Sequence, residues 1–319
     1  MFPTRRRKEL YLQWRYEFMP KSNFSCNIGN GDSGYHVQDR WYVNESGTTG
    51  GEVTMSRATE VPSGFQYSMK FDCTTAESAV AADESWRFEQ RLEGQDLYAW
   101  KKGTSDAVSV TLSFWVNATK TGTNIVRLYD NNNTRHIAKS YTVNSSNTWE
   151  YKTITYAGDT TGTFNRDANT SLQILFYLAA GSNYTSGTLA TSWAANDATN
   201  AAVGQVNNLD STSNNFHITG IQLELGTVAT EFQNETYAEN FVRCARYYEA
   251  RVGAILFGYN MNGGGYDYSH WEFKVRKRGA PTCTGHTGTQ QQVWVDSAGV
   301  YNTSDYPKWS GSSTADAEL

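Results

Sequence analysis

The chain has 319 residues, 27 basic and 32 acidic, for a net charge of −5. Charged residues are 18% and aromatic residues 14%, with 10 Trp and 20 Tyr. Disordered chains show the reverse balance and dedicated nucleic-acid binders a basic excess, so both classes are disfavoured. Thr, Tyr, Trp and Val suit half-buried pleated surfaces, so the composition points to an all-β protein.

Residues 1–21 differ from the rest. Arg5, Arg6, Arg7 and Lys8 precede Trp14, Tyr16 and Phe18, and Pro20 ends the stretch. So many large apolar groups on a basic terminal segment read as an anchoring arm, with Arg5, Arg6, Arg7, Trp14 and Tyr16 as its contact candidates. No apolar stretch of the secretory type follows the basic residues, so no leader is expected. The longest apolar run, 172–180, is too short to span a bilayer, so no membrane insertion is expected.

From 22 to 234 the period is two. Tyr67, Met69, Phe71 and Cys73 alternate with polar residues, as do Trp86, Phe88, Gln90 and Leu92, then Val110, Leu112, Phe114 and Val116, then Leu172, Ile174, Phe176 and Leu178. Further strands are expected at 52–58, 123–130, 135–143, 148–156 and 215–225. About nine strands apolar on one face predict an antiparallel jelly-roll β-sandwich. Trp115 falls on the face opposite Val110, Leu112 and Phe114. It is a candidate subunit contact, a sugar-stacking platform, or a residue under a second layer. The segment 181–214 has only Trp193 as a large anchor and reads as a long functional or mobile loop.

Thr236-x-x-Glu239 is a capping-box pattern, and Tyr237, Phe241, Cys244, Ala245 and Tyr248 follow at helical spacing. A short connecting helix is expected at 235–248, with Tyr237, Phe241 and Tyr248 as subunit-interface candidates. Strand patterns return at 252–259, 269–277, 282–286, 291–296 and 298–302, so 249–319 reads as a small C-terminal β tip domain. Tyr259, Tyr266 and Tyr268 flank a Gly263-Gly264-Gly265 loop. Rigid tyrosines on adaptable backbone suit recognition, so these three, with Trp271 and Trp309, are the ligand- or receptor-binding candidates.

Catalytic chemistry finds little support. Gly29-x-Gly31-x-x-Gly34 is followed by loop and strand rather than a helix, so its glycines read as turn residues. There is no Gly-x-Ser-x-Gly elbow, and the histidines at 36, 136, 217, 270 and 286 are scattered. Glu89 and Glu93 share a strand face with Arg87 and Arg91, which reads as a solvated, salt-bridged face rather than an acid/base pair. Cys26, Cys73, Cys244 and Cys283 read as free thiols. No zinc spacing occurs; Asp130 with Asn131, Asn132 and Asn133, and Asp167 with Asn169, leave a structural Ca²⁺ open, with plain turns as the alternative. Lys274, Arg276, Lys277 and Arg278 read as a solvated face or a contact with an acidic partner subunit.

Gln222-Leu223-Glu224-Leu225-Gly226-Thr227-Val228-Ala229-Thr230-Glu231-Phe232, followed by Cys244, Arg246, Tyr247 and Tyr248, resembles the end of a domain found in bacteriophage fibre and adhesion proteins. Asp39-Arg40-Trp41-Tyr42, Gln90-Arg91-Leu92-Glu93-Gly94 and Val110 to Val116 resemble earlier strands of that domain. Phe273-Lys274-Val275-Arg276 with Ala280-Pro281-Thr282 is similar to a segment found beyond its helix. The resemblance covers about residues 22–248. It implies a carbohydrate-binding-module-like jelly roll carried on a virion, usually a homotrimer, attached to other virion proteins of tail or capsid and contacting a host surface glycan. It brings no catalytic set. Expectation therefore favours a non-enzymatic, tail-fibre-like adhesion protein. A capsid-decoration, head-fibre or tail-adaptor protein without receptor role is the first alternative, and a virion-borne polysaccharide depolymerase the second.

Overall fold

Strand alternation in the sequence is realised as two facing sheets. The computed structural model describes residues 12–13, 25–37, 40–47, 50–250, 256–257, 267–287, 289–302 and 308–319. The described chain divides into two units, Met1–Glu235 and Thr236–Leu319.

The first unit holds β1 (Leu12–Gln13), β2 (Ser25–Ile28), β3 (Gly34–Tyr35), β4 (Trp41–Ser46), β5 (Glu52–Ala58), β6 (Ser68–Thr75) and β7 (Ser85–Glu93). It continues with β8 (Val110–Ala118), β9 (Gly122–Asp130), β10 (Arg135–Val143), β11 (Glu150–Tyr156), β12 (Thr170–Ala180), β13 (Ala194–Ala195) and β14 (Asn215–Leu225). One sheet runs β11-β8-β14-β6-β5-β2, with β1 on β14; the other runs β13-β10-β9-β12-β7-β4-β3. Every pairing in both is antiparallel, and the chain crosses repeatedly between the sheets, giving the expected jelly-roll sandwich.

The inward set from each alternation meets at the centre. Phe88 stacks on Phe176 at 5.0 Å within one sheet and on Phe71 of the other at 4.8 Å. Phe114 meets Phe176 edge-on across the core at 5.3 Å. Rings at these separations gain about 0.5–1.5 kcal/mol per pair beyond their burial. Between β2 and β3 the Asp32 N–H donates to Gly29 O at 3.1 Å and Gly31 takes φ +86°, so those glycines do form a turn that leads into a strand.

Residues 181–206 are a packed cover rather than a loose loop. Ala201 and Ala202 are fully buried against Ile125, Ala138, Leu175 and Tyr177 on the outer face of the second sheet. The short helix α1 (Ser182–Thr185) and β13 belong to this cover, and β13 pairs with β10. Small residues let the backbone lie close to the sheet, which is why the segment looks featureless in sequence.

The second unit opens with α2 (Tyr237–Ala245), whose capping box is formed: the Glu239 N–H donates to Thr236 Oγ1 and the Thr236 N–H to Glu239 Oε2. Its strands are β15 (Tyr248–Ala250), β16 (Leu256–Phe257), β17 (Asp267–Glu272), β18 (Thr282–Thr287), β19 (Thr289–Val293), β20 (Ser297–Asn302) and β21 (Lys308–Asp316). One small sheet centres on β21, with β15, β16 and β18; the other runs β17-β20-β19. Cys26, Cys73, Cys244 and Cys283 are free thiols.

Candidate functional site

The site grows from Trp115. On β8, Val110, Leu112, Phe114 and Val116 face the core, so the alternation turns Trp115 outward, where it is half-buried. Across the ladder Tyr151 of β11 pairs with it, the rings 5.3 Å apart and tilted 46°. On the other side β14 carries an irregularity between Thr219 and Gln222. Gly220 lies there at φ +61°, and a Cβ on it would stand 2.6 Å from Phe65 Cζ and 3.4 Å from Trp115 Cδ1. Glycine is needed at this position for both reasons: the left-handed backbone and the close approach of two rings.

Phe65 in turn meets Phe232 at 5.2 Å. Phe232 is held by the segment after β14, which folds back over the sheet's outer face. Thr230 donates to Glu224 twice, from its N–H at 2.9 Å and its hydroxyl at 2.6 Å. Gln222 Nε2 donates to Glu224 Oε2 at 2.7 Å, and Gln222 Oε1 accepts the Gln233 N–H at 3.0 Å. The Gln-Leu-Glu and Ala-Thr-x-Phe letters of the quoted motif are therefore a hydrogen-bonded clamp that positions one aromatic wall.

Together Trp115, Tyr151, Phe65 and Phe232 line a groove of about 470 Å³, with Ser63, Thr230, Glu231 and Asn234 as its polar lining. Tyr151 is 45% exposed, so the groove is open to solvent. Flat aromatic faces beside hydroxyl, amide and carboxylate groups match the two sides of a pyranose: apolar C–H faces and a hydroxyl edge. The alternation of β8 made Trp115 legible; Tyr151, Phe65 and Phe232 were not identified as site residues, because strand pairing and the fold-back bring them in.

The other expected residues fall out differently. Trp271 and Trp309 are 1% and 0% exposed, 5.3 Å apart in the core of the second unit with Phe273 and Cys283. Neither is available to a ligand, which corrects their reading as binding residues. Tyr248 is likewise buried in β15, so it is packing and not an interface candidate. Tyr237 is exposed on α2, and Phe241 is half-buried with the Lys274 ammonium 5.7 Å from its ring. Tyr268 sits in β17 opposite Tyr301. Arg5, Arg6, Arg7, Trp14, Tyr16, Tyr259 and Tyr266 lie outside the described residues.

Three charge readings change. Glu89 is buried, bridging Arg91 at 2.7 Å and Arg87 at 3.5 Å, and the Arg91 guanidinium covers the Tyr42 ring at 3.9 Å. That face is packed, not solvated. Lys277 is also buried, donating to Glu249 at 2.9 Å and to Ala245 O at 2.5 Å; burial pulls its pKa below the ordinary value. Arg278 binds Ala317 O at 2.7 Å, which leaves Lys274 and Arg276 as the exposed members of the basic cluster. Asp130 accepts the N–H groups of Asn132 and Asn133, as a turn residue does, and its cationic partner is Lys102. Among the described residues no group of three or more His, Cys, Asp or Glu could hold a metal ion.

No protein-family model and no curated protein matches the sequence. Among solved structures the chain is similar to the C-terminal family 22 carbohydrate-binding module of Clostridium thermocellum Xyn10B, at 9% identity over 70% of this chain and 99% of that one, TM-score 0.35. It is similar to a family 30 carbohydrate-binding module at 11% identity over 72% and 95%, TM-score 0.35. It is also similar to the enzymatically active domain of bacteriophage CBA120 tailspike protein 4 at 13% identity, TM-score 0.33, matching 58% of this chain but only 19% of that one. The fold assignment itself rests on the strand order and pairing given above.

Proposed function

We propose that the protein is a non-enzymatic adhesion protein of the bacteriophage fibre type, and that its jelly roll binds a surface glycan in the Trp115 groove. The observation that carries this is the groove itself: four aromatic rings from four separate segments, held open beside polar side chains on the outer face of a sheet. A volume of about 470 Å³ fits the usual 300–1,000 Å³ of small-ligand sites. In this reading the protein resides on the virion as a homotrimer, is fixed to tail or capsid proteins through residues 1–21, and turns over no substrate. The quoted fibre-type motif supports the setting, since the same motif clamps the groove's Phe232 in place.

The test is adsorption of the fluorescently labelled intact chain to bacterial cells before and after periodate oxidation, which cleaves the vicinal diols of surface sugars. Binding that disappears after oxidation is expected. Equal binding to oxidised cells would refute a glycan receptor, and release of soluble oligosaccharide on incubation would refute the non-enzymatic assignment.

A further inference from the structure

A second cavity opens at one end of the sandwich and shares no lining residue with the Trp115 groove. It has about 390 Å³ and lies between the 3-10 helix Gly94–Trp100, the turn that follows it and the 161–166 loop. Its apolar side is Leu97 and Phe164; its polar lining includes Lys101, Asp106 and Arg166. Tyr98 stands at the mouth, 67% exposed, with the Arg166 guanidinium 4.6 Å from its ring centroid.

Arg166 makes no hydrogen bond or ion pair with any described residue, so its edge donors face solvent while its plane rests on Tyr98. A stacked guanidinium is weakly hydrated and oriented in advance, and its fork matches a carboxylate or phosphate with two parallel bonds. The surroundings are packed. Phe164 packs edge-on to Trp100 at 5.9 Å. Lys101 is the C-cap of the 3-10 helix, in the left-handed region at φ 51°, and its N–H donates to Tyr98 O at 3.2 Å.

The charge balance gives the sign of the ligand. Lys102 also lines the cavity, but its ammonium and the Arg135 guanidinium are matched by Asp130 and Asp159. Lys101 and Arg166 then stand against Asp106 alone, a net charge of +1 from two cations and one anion. A neutral sugar has no need of that excess; an acidic one does.

We infer that this cavity binds an anionic saccharide unit, with Arg166 taking its acidic group, Lys101 adding a second cation and Asp106 accepting a sugar hydroxyl. The inference deepens the glycan-adhesion reading and rests on it, but it uses different residues. The acidic group could be a carboxylate, as in uronic acids, or a phosphate, as in polyol-phosphate polymers, and the two are separated by probe.

Calorimetric titration of the intact chain uses oligogalacturonate, a glycerol-phosphate oligomer and a neutral galacto-oligosaccharide of similar length. The expected result is binding of one acidic probe, weakened about tenfold or more in R166A, as loss of a charge-assisted pair predicts. The same probe should lose affinity with added salt, and W115A should bind it as the wild type does. No binding of either acidic probe, or equal binding by R166A, would overturn the inference. Acidic binding that is lost in W115A but kept in R166A would also overturn it while leaving the groove reading intact. Acidic binding through Arg166 together with periodate-insensitive cell adsorption would instead remove the groove reading alone.

Discussion

The Lys102 ammonium and the Asp130 carboxylate form an ion pair with side chains only 2% and 0% exposed. The same ammonium reaches Asp159 at 3.1 Å and donates to the carbonyls of Thr161 at 2.8 Å and Gly162 at 2.9 Å. A lysine thus fills an oxygen cage of the sort that elsewhere holds a metal cation.

Removing that cation leaves the fully buried Asp130 carboxylate without its ion-pair partner, while Asp159 keeps Arg135. K102M should therefore lower the unfolding free energy by about 3–5 kcal/mol, read by chemical denaturation. A loss below about 1 kcal/mol, the worth of a surface pair, would show that the cage is not the anchor described here. Asp159 adds an acid limb. Burial alone would raise its carboxyl, but the bonds from Arg135 and Lys102 outweigh that and hold it below the ordinary 3.8. A depressed carboxyl stabilises the fold above that value, and the contribution is lost as pH falls through its lower folded value.

His136 and His217 act over a different range. Burial, helped by Arg127 for the first and Lys70 for the second, lowers both imidazoles from 6.5 to about 4. The unfolded chain takes up protons first as pH falls, so stability should be level above pH 6.5 and decline between 6.5 and about 4. Denaturation midpoints measured across that window check this; a constant midpoint would contradict it.

The clamp at Glu224 links stability to the site. E224Q keeps the shape but weakens acceptance of the Thr230 N–H and hydroxyl, at a cost of about 1–3 kcal/mol. Amide exchange in 226–234 should accelerate, and glycan binding should weaken because Phe232 is no longer held. Unchanged exchange there would mean that the fold-back is fixed by something other than Glu224.

A homotrimer should scatter light at three times the monomer mass of 35.7 kDa. A solution at the monomer mass would remove the trimer from the proposal without touching the groove.

The sequence was most informative where one residue's neighbours are its own strand. The period of two placed Phe88 and Phe114 inward and Trp115 outward, and Thr236-x-x-Glu239 marked the cap of a helix that runs Tyr237–Ala245 within the expected 235–248. It failed where neighbours come from elsewhere in the chain. Trp271 and Trp309 looked like surface aromatics, but each lies on the buried side of its strand, and the two small sheets pack them against each other. The Ala-rich cover over 181–206 has no alternation, since its partners are the small and apolar residues of another sheet. Lys102 is one of two adjacent lysines in the sequence, yet only the approach of Asp130, Asp159 and the 161–162 carbonyls makes it a core residue. The groove needed Phe65 and Phe232 brought together over Gly220, which no local pattern announces.

The most direct measurement is the affinity of the intact chain and of W115A on an array of neutral bacterial polysaccharides. The account predicts that polysaccharides bound by the wild type are bound about thirtyfold more weakly by W115A, the usual loss when a central tryptophan is truncated. Tyr151→Ala should show a smaller loss in the same direction. Wild-type binding that W115A retains in full would contradict the Trp115 groove as the glycan site.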